Sequence, residues 1–161
     1  ATNGNRAWTV RGFKLTTTTA GYGLHINNGS AITYNNLDFG AASGGQITVL
    51  NVSSAICTGN YSISGGAPWH WFGDSNSTIS SDADTITLSG TPAFSTAFAF
   101  ANGSAMLKLD ANTFSGSATG KRYQVQNGAV IFVNGAGTSY LPGNTAGTGT
   151  NFGASPYGLY T

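Results

Sequence analysis

Residues 61–90 read YSISGGAPWHWFGDSNSTISSDADTITLSG and contain the pattern that decides the fold. Two segments of this stretch, residues 61–65 and 86–90, alternate apolar and polar side chains, end in Ser-Gly and lie 25 positions apart. Alternation with period two is typical of a strand that has one buried face. Further segments of this kind end at Gly40, Gly116 and Gly135, so the five glycines are separated by 25, 25, 26 and 19 residues.

An Asn-Gly pair followed by a small residue marks a second position of the repeat. It occurs at residues 28–29, 102–103 and 127–128, at intervals of 74 and 25 residues. A β-sandwich also has short strands and frequent turns, but it has no reason to repeat at a fixed interval. The ~25-residue spacing therefore predicts an all-β chain that forms a right-handed single-stranded parallel β-helix of about five to six coils over residues 1–135. Residues 136–161, called the tail below, abandon the repeat and are predicted to form an irregular C-terminal cap or a subunit-contact segment.

Stacked coils place equivalent side chains above one another, so the repeat also predicts columns of apolar residues in a continuous core. One strand of each coil is expected to contribute two inward columns, Leu24, Phe98 and Tyr123, and Ile26, Leu50, Phe100 and Val125. A later strand is expected to contribute two more, Leu37, Tyr61 and Ile86, and Phe39, Ile63, Leu88, Phe114 and Val133. The outward column between these is predicted to be Asp38, Ser62, Thr87 and Thr113.

The composition narrows the classes of partner. Only 7% of the residues are charged, against roughly 25% in ordinary soluble domains, and the net charge is +1, so no nucleic-acid partner is expected. No apolar run approaches the ~18 residues of a membrane span, so no membrane insertion is predicted. The single cysteine, Cys57, is interpreted as a small core residue. The chain opens at Ala1 without a methionine, which we interpret as a fragment or a processed piece of a longer protein.

Candidates for catalysis are few, because the chain has five aspartates and no glutamate. Asp82 and Asp84 are the one close acid pair along the sequence and are weak catalytic candidates for glycan cleavage. We favour the alternative that Ser81-Asp82-Ala83-Asp84 is a turn in which Asp caps backbone amides. His25 is interpreted as a surface histidine. No metal site, cofactor or nucleotide-binding motif is indicated.

The segment 66–74, GAPWHWFGD, carries the most distinctive side chains. We interpret it as an insertion that interrupts the repeat at one turn. Large aromatic side chains serve both core or subunit packing and ligand contact, because they offer a rigid apolar area with a polar edge. Packing is the favoured interpretation, and Trp69, His70 and Trp71 are the candidate ligand-binding residues for carbohydrate.

With its repeated apolar-x-apolar-Ser-Gly strands, the chain resembles bacteriophage tail fibres and tailspikes. Residues 137–148, GTSYLPGNTAGT, are similar to the Pro-Gly-Asn-x-Ala-Gly closing segments of phage tail proteins. The resemblance implies a homotrimer in the virion tail, or otherwise an extracellular protein, that adheres to bacterial surface polysaccharide. Some family members also cleave that polysaccharide with paired Asp or Glu, and the absence of glutamate here departs from their pattern.

The expected function is therefore a structural and receptor-binding segment of a tail fibre or tailspike. The alternative is a polysaccharide-degrading β-helix enzyme, a lyase or hydrolase of the depolymerase type. A third class, an ice-binding β-helix, would require Thr-x-Thr on successive coils. Thr85-Ile86-Thr87 has no counterpart at the neighbouring repeats, so this class is disfavoured.

Overall fold

The computed structural model describes residues 8–17, 19–149, 151, 153 and 157–161, and within them the chain forms strands and turns without a helix. The strands, in chain order, are β1 (Trp8–Arg11), β2 (Lys14–Leu15), β3 (Tyr22–Ile26), β4 (Ala31–Asn35), β5 (Asp38–Phe39), β6 (Gly45–Val49), β7 (Ser54–Cys57), β8 (Tyr61–Ile63), β9 (Ala67–Gly73), β10 (Thr78–Ser80), β11 (Thr85–Leu88), β12 (Ala93–Ala101), β13 (Met106–Lys108), β14 (Thr113–Ser115), β15 (Thr119–Gly120), β16 (Tyr123–Val125), β17 (Val130–Phe132) and β18 (Leu159–Tyr160).

The strands form three parallel sheets that the chain visits in rotation. Sheet A has the order β1-β4-β7-β10-β13-β17-β18 and sheet B the order β14-β11-β8-β5-β2. Sheet C has the order β15-β12-β9-β6-β3, with β16 also paired to β12. Strands on neighbouring turns are therefore stacked in parallel through about five turns, which confirms the predicted parallel β-helix.

The core runs along the axis between the three sheets. Sheet A contributes a column of inward side chains, in which Ile32, Ala55, Ile79, Leu107 and Ile131 are in register on successive strands. From Ala55 onward these side chains have no exposed surface. Burial of such a column removes apolar area from water at each turn, at roughly 25 cal/mol per Å².

The register confirms part of the predicted columns and corrects the rest. Phe39, Ile63 and Leu88 are in file on sheet B as predicted. Phe114, however, pairs with Ile86, two positions from its predicted place beside Leu88, and Val133 follows β17 of sheet A. On sheet C the true partners of Leu24 are Ile47, Trp71, Ala99 and Tyr123, and those of Ile26 are Val49, Gly73, Ala101 and Val125. The predicted places of Phe98, Leu50 and Phe100 are each one residue away from the observed ones. In the outward column, Ser115 takes the place predicted for Thr113, because Ser115 is the partner of Thr87.

Five equivalent four-residue turns join sheet C to sheet A. Their central residues all have positive φ: Asn28-Gly29, Asn51-Val52, Ser75-Asn76, Gly103-Ser104 and Asn127-Gly128. In four of the turns the fourth residue's amide donates to the first residue's carbonyl oxygen at 3.0–3.3 Å. This is the geometry of a type I′ turn, which favours Asn and Gly. The Asn-Gly marker of the sequence is therefore a corner of the coil.

The tail packs onto the end of the stack formed by the last coil. Leu141 is fully buried, and its carbonyl oxygen accepts a hydrogen bond from Arg122 at 2.9 Å. Thr145 and Thr148 form parallel bridges with Lys121 and Gln124, continuing sheet C. The Tyr160 ring stacks on Tyr123 at a centroid distance of 3.7 Å. Residues 150, 152 and 154–156 of the tail lie outside the described part of the chain.

Candidate functional site

The outer surface of sheet C carries a cluster of aromatic side chains. We call it the aromatic face and define it by Tyr22, His25, Trp69, Phe72 and Phe100. Phe72 and Phe100 are paired on neighbouring strands, and Thr48 and His25 occupy the same column on the strands before them. All five side chains keep solvent-accessible surface. Aromatic groups on an outward sheet surface are not needed to fill the core, so this cluster is a candidate for binding.

Trp69 reaches the outer surface because strand alternation breaks next to it. His70 and Trp71 are consecutive residues and both are fully buried, as are Gln46 and Ile47 at the same position one turn earlier. The sheet bends at this point, so two adjacent side chains face the core and Trp69 lies outside. This is why the sequence pattern alone did not separate Trp69 from Trp71.

Gly45 provides the space for the Trp69 ring. Gly45 has φ +122°, and a Cβ atom there would collide with the pyrrole side of the indole ring. The Trp69 Nε1–H donates to the Thr48 hydroxyl at 2.9 Å, and Thr48 is buried although it lies on the outward column. The indole ring is thus held against the main chain by one hydrogen bond and by the absence of a side chain beneath it.

The remaining rings extend this surface across several turns of the coil. Centroid distances are 4.7 Å from Trp69 to Phe72 and 4.8 Å from Phe72 to Phe100. At the other end, Tyr22 and His25 lie 4.7 Å apart. These distances lie at the short end of the range at which aromatic pairs attract each other. The contacts between the rings therefore restrict their positions.

Beyond Phe100 the face becomes polar. Gln124 is the partner of Phe100 on the next strand and accepts a hydrogen bond from the Lys121 ammonium at 3.0 Å. The Gln124 amide donates in turn to Gln126 at 3.0 Å, and Gln126 donates to Asn102 at 3.2 Å. This polar chain fixes the orientation of the Gln124 amide and therefore the position of the lysine.

Of the three predicted ligand-binding residues, only Trp69 lies on the surface. His70 and Trp71 have no exposed area, so neither side chain is accessible to a ligand at the surface, and the binding interpretation is corrected for both. The segment 66–74 is not an insertion either, because β9 pairs with β6 in an unbroken register at a separation of 24 residues. The extra residues lie later, between Leu88 and Ala97, where the separation of partners rises from 25 to 28.

His70 is the centre of a buried hydrogen-bond chain. Gln46 donates from its side-chain nitrogen to three backbone carbonyl oxygens, those of Phe39, Gly40 and Gly65, which leaves its Oε1 as the acceptor. The His70 Nδ1–H therefore donates to Gln46 at 2.7 Å, and Nε2 accepts from the Tyr61 hydroxyl at 2.7 Å. Every polar atom of the neutral ring is satisfied, and burial lowers the pKa of His70 well below its ordinary value. The residue is structural.

The two members of the acid pair, Asp82 and Asp84, lie in different surroundings. Residues 81–84 connect β10 to β11 and bend at Ala83, which has φ +59°. Asp84 is buried and accepts a hydrogen bond from Ser81 at 3.1 Å, rather than from a backbone amide. Asp82 is exposed and pairs with Lys108, which also lies 2.9 Å from Asp110. Each carboxyl therefore has a structural partner.

Asp38 and Cys57, which lie outside the aromatic face, also have structural surroundings. Burial alone would raise the pKa of Asp38, but hydrogen bonds from Ser64 and Lys14 hold it below its ordinary value. Cys57 lies in the core, and burial raises the pKa of its thiol to about 12. Within the described ranges no group of three or more His, Cys, Asp or Glu side chains comes together as a metal-ligand cluster.

Comparison with known proteins finds no family model, no curated protein and no solved structure that matches this chain. Across the described residues there is also no helix with the length and apolar character needed to cross a membrane.

The sequence pointed to Trp69, but it did not indicate Tyr22, Phe72, Phe100, Gly45 or Lys121. The available signal was the alternation itself, because a buried Trp71 requires an outward Phe72.

Proposed function

We propose that this chain is a structural and receptor-binding segment of a phage tail fibre or tailspike, and that its aromatic face binds bacterial surface polysaccharide. The observation that carries the proposal is the Trp69 indole, which is fixed over Gly45 on the outer surface beside Phe72 and Phe100. Sugar rings present apolar C–H faces edged by hydroxyl groups, and rigid aromatic rings with nearby polar groups match that chemistry.

The arrangement of the face supports an elongated ligand. Its rings lie on strands β3, β9 and β12, so they follow the stacking direction of the coils. Gln124 supplies hydrogen-bonding groups within the column of Phe72 and Phe100. A polysaccharide that runs along the coil axis would meet aromatic and polar groups in turn. A rigid scaffold keeps these groups in place without an ordering cost on binding.

The proposal includes a homotrimer located in the virion tail or outside the cell. Apolar side chains on the outer surface of sheet A support association between copies. Ile56 and Met106 are 43% and 49% exposed, on β7 and β13. Light scattering on the purified chain tests this point, with a mass of three chains as the expected result. A monomer across the concentration range would contradict the trimer.

Removal of the Trp69 ring tests the binding proposal. We expect Trp69→Ala to lose binding to host cells and to isolated surface polysaccharide, with little change in thermal unfolding because the ring is partly exposed. Phe13→Ala is the matched control, because Phe13 is an exposed ring outside sheet C and should bind normally. Trp71→Ala is expected to destabilise the fold instead, by about 3–5 kcal/mol. Full binding by Trp69→Ala would refute a glycan site on this face.

A further inference from the structure

We propose that the aromatic face is selective for acidic polysaccharides, and that the Lys121 ammonium pairs with a carboxylate carried by the sugar chain. The inference rests on the proposed glycan-binding function and specifies the class of glycan. It follows from where the charged groups of this chain lie relative to the rings, and from how Lys121 is held.

Four of the five aspartates of the protein lie away from the aromatic face, and Asp74 lies at its edge. No strand of sheet C contains an aspartate, and the sequence has no glutamate. Asp38 belongs to sheet B, and Asp82, Asp84 and Asp110 lie in the turns between sheets A and B. Asp74 is the acid nearest to the face; it follows β9 at the corner, and its carboxylate accepts the Ser75 backbone N–H. An anionic ligand therefore meets no like charge on the strands of this sheet.

The lysines differ in how their charge is used. Lys14 and Lys108 form ion pairs with aspartates of this chain. The Lys121 ammonium instead donates to the neutral amide of Gln124, at 3.0 Å. An ammonium group has three donors, so two remain for a ligand. Within the described residues no carboxylate lies in ion-pair distance of Lys121.

The position of Lys121 is fixed relative to the rings. Its backbone oxygen accepts from the Phe98 amide at 2.8 Å, and its backbone forms a parallel bridge with Thr145. Its side-chain partner, Gln124, is the neighbour of Phe100 across the strand pair. The ammonium is therefore one turn of the coil beyond Phe100. A sugar ring stacked on Phe100 would place the substituents of the adjoining sugar near Lys121.

The test compares acidic and neutral forms of one polymer. A panel of bacterial surface polysaccharides, with and without uronic acids, is screened for binding, and each uronate-containing binder is measured again after chemical reduction of its carboxyl groups to alcohols. We expect the unmodified polymers to bind more tightly, with the difference shrinking as salt is raised. Lys121→Gln should weaken binding of the acidic polymers about three- to tenfold and leave the reduced polymers unchanged.

Two variants control for charge and for position. Lys121→Arg keeps the charge and should retain most of the preference, whereas Arg11→Gln removes one positive charge from β1 of sheet A and should have no effect. If acidic and reduced polymers bind equally well, and Trp69→Ala abolishes the binding of both, the inference is overturned while the proposed function stands. Binding of no polysaccharide in the panel would overturn both.

Discussion

Val52 occupies a backbone conformation that its side chain disfavours. It has φ +60° at a corner of the coil, and it is 71% exposed, so packing does not compensate. A branched side chain in this region costs about 1–2 kcal/mol. Gly29 and Gly128 hold the same position on other turns. Val52 is therefore a local weakness in an otherwise regular corner.

We expect Val52→Gly to raise the free energy of unfolding by roughly 0.5–1 kcal/mol, because the strain removed exceeds the entropy that glycine adds to the unfolded chain. The corresponding rise in melting temperature is about 1–4 °C, measurable by calorimetry or circular dichroism. Ile56→Gly is the matched control, since Ile56 is an exposed branched residue in a strand and its loss should destabilise. A lower melting temperature for Val52→Gly would contradict the assignment of strain.

At the scale of strands, the chain Tyr61–His70–Gln46 joins β8, β9 and β6 across the core. His70 is surrounded by the rings of Phe39, Trp71 and Phe98. Protonation would give Nε2 a hydrogen that points at a hydroxyl oxygen already oriented to donate, with no acid beside it. The hydrogen-bond chain from Tyr61 through His70 to Gln46 is therefore complete only when the His70 ring is neutral.

Stability should consequently depend on pH through His70. The folded-state pKa lies well below 6.5, so below pH 6.5 the unfolded chain binds the additional proton. The free energy of unfolding is expected to be constant above about pH 7 and to fall as pH drops below 6.5, by at most about 1.4 kcal/mol per pH unit. Urea unfolding from pH 8 to pH 5 measures this. His25→Gln removes the other histidine, which is exposed, and should leave the slope intact; loss of the slope in that variant would exclude His70 as the cause.

The sequence predicted the parallel coil but misplaced several strands by one residue. The error began at Asn102-Gly103, which was aligned with Asn28-Gly29, whereas Gly103 takes the position of Asn28 in the structure. Phe98 and Phe100 were shifted with it. Both Asn-Gly and Gly-Ser satisfy the same pair of positive φ angles, so composition does not fix the register of a turn. The bend that turns Trp69 outward was equally invisible, because it depends on space above Gly45 in another coil.

At the scale of the whole molecule, the two ends of the coil differ. β1, β2 and β3 are the end strands of sheets A, B and C, and Trp8 on β1 is 74% exposed. The opposite end is covered by the tail through β18, Leu141 and the stacked ring of Tyr160. Exposed strand edges attract other strands, so the tail protects one end from such pairing.

We expect Leu141→Ala to destabilise the molecule by about 2–5 kcal/mol, because it empties a buried position between the tail and the last coil. Thermal unfolding measures the change, and faster proteolysis of the tail is expected to accompany it. Thr138→Ala is the control, as Thr138 is exposed in the same tail. Equal stability of the two variants would show that the tail adds little to the folded state.

Strand pairing only between neighbouring turns has a mechanical consequence. Tension applied through the two termini is borne by one winding at a time, because among the described strands the backbone ladders join only neighbouring turns. Within the described residues no strand pairs with the outer edge of β1, so the winding at that end should detach first, followed by successive windings of similar contour length. The windings that carry Phe100 and Lys121 lie next to the end that the tail covers. They would then keep their shape longest under load.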